Sequence, residues 1–140
     1  MRFPGKFDVI YNVEEDMLTC EMLKFILQPL MENAMEHGVI PCKRRGRIEV
    51  TGKISSDHIA EISICDNGNG ISDEMLQRLH QELKKDLQQG VNPSSSGIGL
   101  INVHQRIKNY YGEEFGISVE SNQGEYTCVK VRFPVLQEEV

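Results

Sequence analysis

The chain has 140 residues, 39% hydrophobic and 26% charged, and its 21 acids outweigh 15 Lys and Arg for a formal charge of -6. This composition suits one globular domain with room for a core, and the acidic balance argues against nucleic acid, whose phosphates are bound by basic surfaces. No apolar run approaches membrane-spanning length, no N-terminal signal pattern is present, and Cys20, Cys42, Cys65 and Cys128 lack paired metal spacing, so they read as free thiols of a reducing, cytosolic setting.

Phe7, Val9, Tyr11 and Val13 alternate with Asp8, Ile10 and Asn12, which predicts a first strand. Over residues 21–37, Leu23, Ile26, Leu27, Leu30, Met31 and Ala34 recur at helical spacing, and Pro29 inside that pattern predicts a kink or a broken first turn. Steps of four, three and four lead from Ile26 through Leu30 and Asn33 to His37, placing two polar side chains on the continuation of the apolar stripe. Lys43, Arg44 and Arg45 fall in a linker and read as a solvated turn. Ile48, Val50 and Ile54 alternate with Arg47, Glu49 and Lys53 as a second strand, and residues 58–66 give the third, with a hairpin turn over 52–57.

The third strand ends in ISICDNGNGI, residues 62–71. Successive side chains of a strand point to opposite faces, so Asp66 shares a face with Ile62 and Ile64. A carboxylate on an apolar face needs hydrogen-bond donors or a polar ligand, because unpartnered burial costs several kcal/mol. Gly68 and Gly70, lacking Cβ, permit close approach to the backbone, although Asn-Gly repeats also make ordinary tight turns. Asn33 and Asp66 lie on different elements and both point inward, which suggests a shared pocket.

Residues 73–88 read as a helix with Leu76, Leu79, Leu83 and Leu87 on one side, capped by Ser72 or Asp73. Residues 89–96 have nothing to bury and are expected to be mobile. Gly97, Ile98 and Gly99 open a further helix, with Leu100, Val103, Ile107 and Tyr110 on one face and Gly112 as C-cap. A glycine-rich helix entry offers free N–H groups and the positive end of the dipole to an anion, most naturally phosphate. Phe115, Ile117 and Val119, a turn at 122–124, then Thr127, Val129, Val131 and Phe133 make a terminal hairpin. This order of elements predicts an α+β, two-layer sandwich: helices on one face of a mixed, mainly antiparallel sheet.

Three ordered stretches carry a family resemblance: LQPLMENAMEHGV at 27–39, DNGNGI at 66–71 and GIGL at 97–100. They resemble the N, G1 and G2 boxes of the GHKL superfamily, and within it the YesM-like or LytS-like sensor histidine kinases, over residues 7–134. The resemblance implies a Bergerat-type ATP-binding fold filling residues 1–140 as a single domain, with an ATP lid over 72–96. It implies that Asp66 accepts the exocyclic amine of adenine and that Asn33 gives an oxygen to Mg2+. By the same match Gly68, Gly70 and Ile71 surround the base, His37 lies at the nucleotide, Gly97, Gly99 and Leu100 face the phosphates, and Thr127 stands near the adenine.

Two departures bear on activity. Hydrolytic relatives carry a water-activating glutamate four residues before the asparagine, where this chain has Pro29, so ATP hydrolysis is not the expected chemistry. Tyr126 stands where relatives often have glycine beside the threonine. LHQEL at 79–83 is a weak match to an acceptor histidine box and lies inside the lid, so His80 is not read as the acceptor; His58 and His104 read as structural or solvated. The expected function is the catalytic domain of a two-component sensor kinase, presenting the γ-phosphate of Mg-ATP to a histidine on a separate helical dimerisation domain, and thence to a response regulator. The intact protein is then a homodimer at the bacterial membrane, with this domain cytoplasmic. The alternatives are a free-standing GHKL serine kinase of the anti-sigma-factor type, which usually keeps the glutamate, and a degenerate domain binding partners without nucleotide.

Overall fold

A computed structural model of the chain describes residues 2–3, 7–18, 22–39, 45–84 and 98–135. In chain order these form β1 (Arg2–Phe3), β2 (Phe7–Val13), the single turn α1 (Glu15–Leu18), and α2 (Met22–Asn33), which widens into a π-helical turn, Ala34–Val39. There follow β3 (Gly46–Ile54), β4 (Ile59–Asp66), α3 (Asp73–Lys84), α4 (Ile98–Tyr111), β5 (Gly116–Asn122) and β6 (Tyr126–Pro134).

One six-stranded sheet has the order β1-β2-β3-β4-β6-β5, and β2 with β3 is its one parallel pair. Parallel neighbours need a crossover rather than a hairpin, and α1 and α2 fall in that connection. Alternation does the rest. Ile48 and Val50 of β3, Ile62 and Ile64 of β4, and Val129, Val131 and Phe133 of β6 are buried, whereas Glu49, Lys130 and Arg132 between them are exposed. Helices therefore cover one face only, packing Ile26, Leu30, Leu79, Leu83, Leu100, Ile101 and Ile107 into the same core. The mixed, mainly antiparallel two-layer architecture expected from the sequence is the one observed.

Several local expectations change. β1, two residues long, pairs antiparallel with β2 and had no signal in the alternation pattern. Helix α2 runs without a break through Pro29, with Ile26 and Leu30 both buried around it, so burial on either side offsets the one backbone bond that proline forfeits. At the end of α4 the inward aromatic is Tyr111, which stacks on Phe133 at 5.9 Å, while Tyr110 is 67% exposed. Leu79 and Leu83 are buried against α4 and β5, whereas Leu87 and the stretch 89–96 lie outside the described residues. Arg45, read as solvated, makes a two-pronged ion pair with Asp8, at 2.8 and 3.1 Å.

The free-thiol reading also changes for two cysteines. Cys65 and Cys128 are direct partners across β4 and β6, with Cα atoms 4.1 Å apart, and are joined as a disulfide on the face away from the helices. Facing positions of an antiparallel pair bring two Cβ atoms within reach of such a bond, and 63 residues of sequence separation had hidden it.

Candidate functional site

Three strands finish alike at one end of the sheet. The inward column of β4 runs Ile62, Ile64, Asp66; that of β6 starts at Thr127 before Val129 and Val131; that of β5 runs Ile117, Val119, Ser121. Asp66 pairs in register with Thr127, and Thr127 with Ser121. A carboxylate and two hydroxyls thus form one polar row where the apolar columns stop.

Asp66 and Thr127 are each only 5% exposed. One oxygen of Asp66, Oδ1, accepts the N–H of Gly68 at 2.9 Å, which bends the chain back towards the strand end. Next to it Asn67 accepts the N–H of Arg47 at 2.6 Å and donates to the Arg45 carbonyl at 3.3 Å, tying the turn to the start of β3. The far side of the turn is tied to β5 and β6. Gly124 N–H donates to the Asn69 carbonyl at 2.6 Å, and Ile71 N–H donates to Ser121 Oγ at 2.8 Å. Gly70, at φ +69°, sits so close that a Cβ there would lie 2.2 Å from the Asn122 carbonyl oxygen. Its lack of a side chain therefore serves the fit of two turns.

Asn33 is the last residue of α2 and is half-buried. The π-helical turn after it packs on β3, β4 and β6, and α2 itself contacts α4. Its neighbour Glu32 is exposed and accepts from Gln28 Nε2 at 3.2 Å. The backbone of His37 lies in the π-helical turn, but its side chain is outside the described residues, as is Gly97. Gly99 and Leu100 are in the first turn of α4, and Leu100 is buried in the core, so only its backbone can face a ligand. Among the described residues no three His, Cys, Asp or Glu side chains gather as a metal site.

The remaining histidines are committed elsewhere. His80 Nε2 donates to the Val119 carbonyl at 2.9 Å, on the open edge of β5. Buried His104 donates from Nε2 to the Leu83 carbonyl at 2.7 Å and accepts the Ile117 N–H on Nδ1 at 2.8 Å. That pair of bonds fixes one neutral tautomer, and burial pushes the His104 pKa below its usual 6.5. These side chains, with Lys84, Lys108 and Leu83, line a groove of about 420 Å³ along β5 that includes none of the sequence-predicted site residues. Ser121 is the site residue that sequence reading missed. Its signal was the same alternation that singled out Asp66, masked by the turn-forming residues Asn122 to Gly124 beside it.

Residues 20–137 match the family model for histidine kinase-, DNA gyrase B- and HSP90-like ATPases. The chain is 33% identical over 112 residues to the sensor histidine kinase YpdA of Escherichia coli, covering 80% of this chain and 18% of that protein. It is 32% identical over 139 residues to the sensor protein LytS of Bacillus subtilis, covering 97% of this chain and 22% of that protein. The chain thus spans about a fifth of these relatives. In structure it is similar to the catalytic domain of histidine kinase ThkA, with TM-score 0.58, 16% identity and coverage of 92% of this chain and 82% of that one. It is also similar to the histidine kinase domain of a blue-light activated kinase from Erythrobacter litoralis, with TM-score 0.60, 13% identity and coverage of 93% and 55%.

Proposed function

The chain belongs to the histidine kinase-, DNA gyrase B- and HSP90-like ATPase family, and from that footing we propose that it is the ATP-binding catalytic domain of a LytS-like sensor histidine kinase. The observation that carries this reading is Asp66: a carboxylate 5% exposed at a strand end, with Thr127 and the glycine turn beside it. An ionised carboxylate accepts the exocyclic amine of adenine and repels the carbonyl that guanine offers at the same edge. A site built for one such bond can reject the mismatched base by factors on the order of 10⁴. In this proposal the single domain fills residues 1–140, Asp66, Gly68, Gly70, Ile71 and Thr127 meet the base, and Gly99 and Leu100 direct backbone N–H groups of α4 at the phosphates.

Magnesium is a hard ion that keeps several waters and takes few protein ligands. The half-buried amide of Asn33 fits as one oxygen donor, and the other ligands would come from phosphate and water. When bound, Mg-ATP supplies the γ-phosphoryl group. The chain's own part is to hold that nucleotide, orient it through the α4 entry, and leave its end open to an acceptor, since phosphoryl transfer depends on positioning and charge neutralisation. The acceptor histidine on a helical dimerisation domain, a response regulator, homodimerisation and a membrane-bound parent protein complete the proposal. Among the described residues no helix is long and apolar enough to cross a membrane.

Calorimetric titration tests the reading. ADP and ATP with Mg2+ bind and GDP does not. Asp66→Asn lowers adenine-nucleotide affinity at least tenfold with or without the metal, because a charged hydrogen bond is worth about 1.5–3 kcal/mol. Asn33→Ala weakens binding chiefly when Mg2+ is present. Equal losses for Asn33→Ala with and without Mg2+ overturn its metal role, and no ADP binding by the unmodified chain overturns the function.

A further inference from the structure

Ser121 Oγ makes three hydrogen bonds, one more than a hydroxyl can make without fixing every role. It accepts the Ile71 N–H at 2.8 Å, lies 2.7 Å from the Tyr126 carbonyl oxygen, and lies 2.9 Å from Thr127 Oγ1. A carbonyl only accepts, so the single Ser121 proton must go to Tyr126; otherwise two oxygen lone pairs would face each other at 2.7 Å. Ser121 then has two lone pairs left. One takes the Ile71 N–H, and the other must receive the proton of Thr127. Thr127 in turn has no proton left for a ligand.

We propose that Ser121 is a positioning and specificity-determining residue of the nucleotide site: by taking the hydroxyl proton of Thr127 it leaves that buried oxygen as an acceptor only. This rests on the nucleotide-binding reading above. Thr127 and Asp66 are direct partners across β4 and β6, with side chains on one face, so the edge they present to a base consists of a carboxylate and an acceptor hydroxyl. With both acceptors turned to position 6, the amino donor of a 6-amino purine is favoured and the oxygen of a 6-oxo purine disfavoured for two reasons rather than one. The same serine anchors Ile71, so the proton assignment and the position of the glycine turn are set by one atom.

Without Ser121 Oγ, Thr127 is free to turn its proton outwards and donate to a 6-oxo group. The test compares affinities of the full chain for ADP and inosine diphosphate, which differ at position 6 and in the proton that the 6-oxo base carries on N1. In Ser121→Ala the ADP-to-IDP affinity ratio falls about tenfold, in part through tighter IDP binding, which a merely loosened site cannot give. Ser121→Thr keeps the hydroxyl and restores the ratio, and adding Thr127→Val to Ser121→Ala abolishes the gain for IDP. Should Ser121→Ala not fold, Ser121→Cys, with a sulfur that accepts weakly, takes its place. An unchanged ratio in a folded variant overturns the Ser121 assignment alone. Absence of ADP binding by the unmodified chain overturns this assignment together with the nucleotide reading.

Discussion

Asp66 lies in phase with Ile62 and Ile64, and an acid has no place on that apolar face unless something meets it. Ser121 stands in the same relation to Ile117 and Val119, yet a serine before Asn122 reads as the start of a turn, and its partners come from residues 50 and 6 positions away. Gly70 is a different case. Its missing Cβ permits a close backbone approach, as its sequence context implies, and in the structure one neighbour that approaches is the Asn122 turn. Gly70 and Gly124 both have positive φ, at 69° and 83°, but a Cβ on Gly124 meets nothing within 4 Å. Gly124→Ala should therefore cost about 1 kcal/mol, the backbone term alone. Gly70→Ala adds a 2.2 Å contact with the Asn122 carbonyl that only movement of backbone can relieve, so its loss should exceed that of Gly124→Ala by about 1–3 kcal/mol. Urea denaturation of the two variants compares them directly; equal midpoints would show that the turns are not locked together.

The strands were read well because period-2 alternation reports which face is buried, and β3, β4, β5 and β6 each bury one face only. At the end of α4 Tyr110 and Tyr111 are adjacent, and Phe133 of β6 together with Phe115 holds Tyr111 inward. His104 is the plainest case of tertiary context overriding local pattern. It lies on α4, bonds the end of α3 through Leu83 and the start of β5 through Ile117, and so joins three elements. Gly116 makes room for it, since a Cβ there would lie 2.5 Å from Nδ1. Protonating Nδ1 destroys its capacity to accept the Ile117 N–H and places a charge in a buried site. The folded pKa is below the unfolded value of about 6.5, so between the two the unfolded chain binds more protons and stability rises with pH. The contribution is complete above about pH 6.5 and is lost as pH falls towards the folded pKa. Urea unfolding at pH 7.5 and 5.5 should show this loss, and His104→Gln, which does not titrate, should reduce the difference between the two pH values. The opposite slope would mean that His104 is protonated in the fold.

For the molecule as a whole, the helices, the polar end of the sheet and the open edge of β5 divide the work. Alternation made the polar end of the sheet legible at Asp66, whereas the joining of Cys65 to Cys128 and the covering of the β5 edge by His80 and His104 depend on the order in which strands meet, which no single stretch encodes. That arrangement also bears on phosphoryl transfer. An acceptor histidine must bring an unprotonated ring nitrogen in line with the γ-phosphate, so a nitrogen held by the fold is a poor acceptor. His104 has both nitrogens engaged and is 8% exposed, and His80 uses Nε2 on the edge of β5. His58 lies in the β3–β4 turn, at φ 61°, with its N–H bonded to the Ser55 carbonyl at 3.0 Å and its own carbonyl to Val135. In the proposed function His37 belongs to the first box, where a phosphoryl group would compete with the nucleotide. Incubated with Mg2+ and γ-labelled ATP, this chain should therefore bind nucleotide and gain stability with the logarithm of ligand excess, about 2.7 kcal/mol at a hundred times the dissociation constant, while incorporating no acid-labile label. Label appearing on the chain alone and disappearing in His37→Ala, His58→Ala, His80→Ala or His104→Ala would identify the acceptor that this argument excludes; label appearing only when a helical histidine-bearing domain is added supports transfer between separate domains.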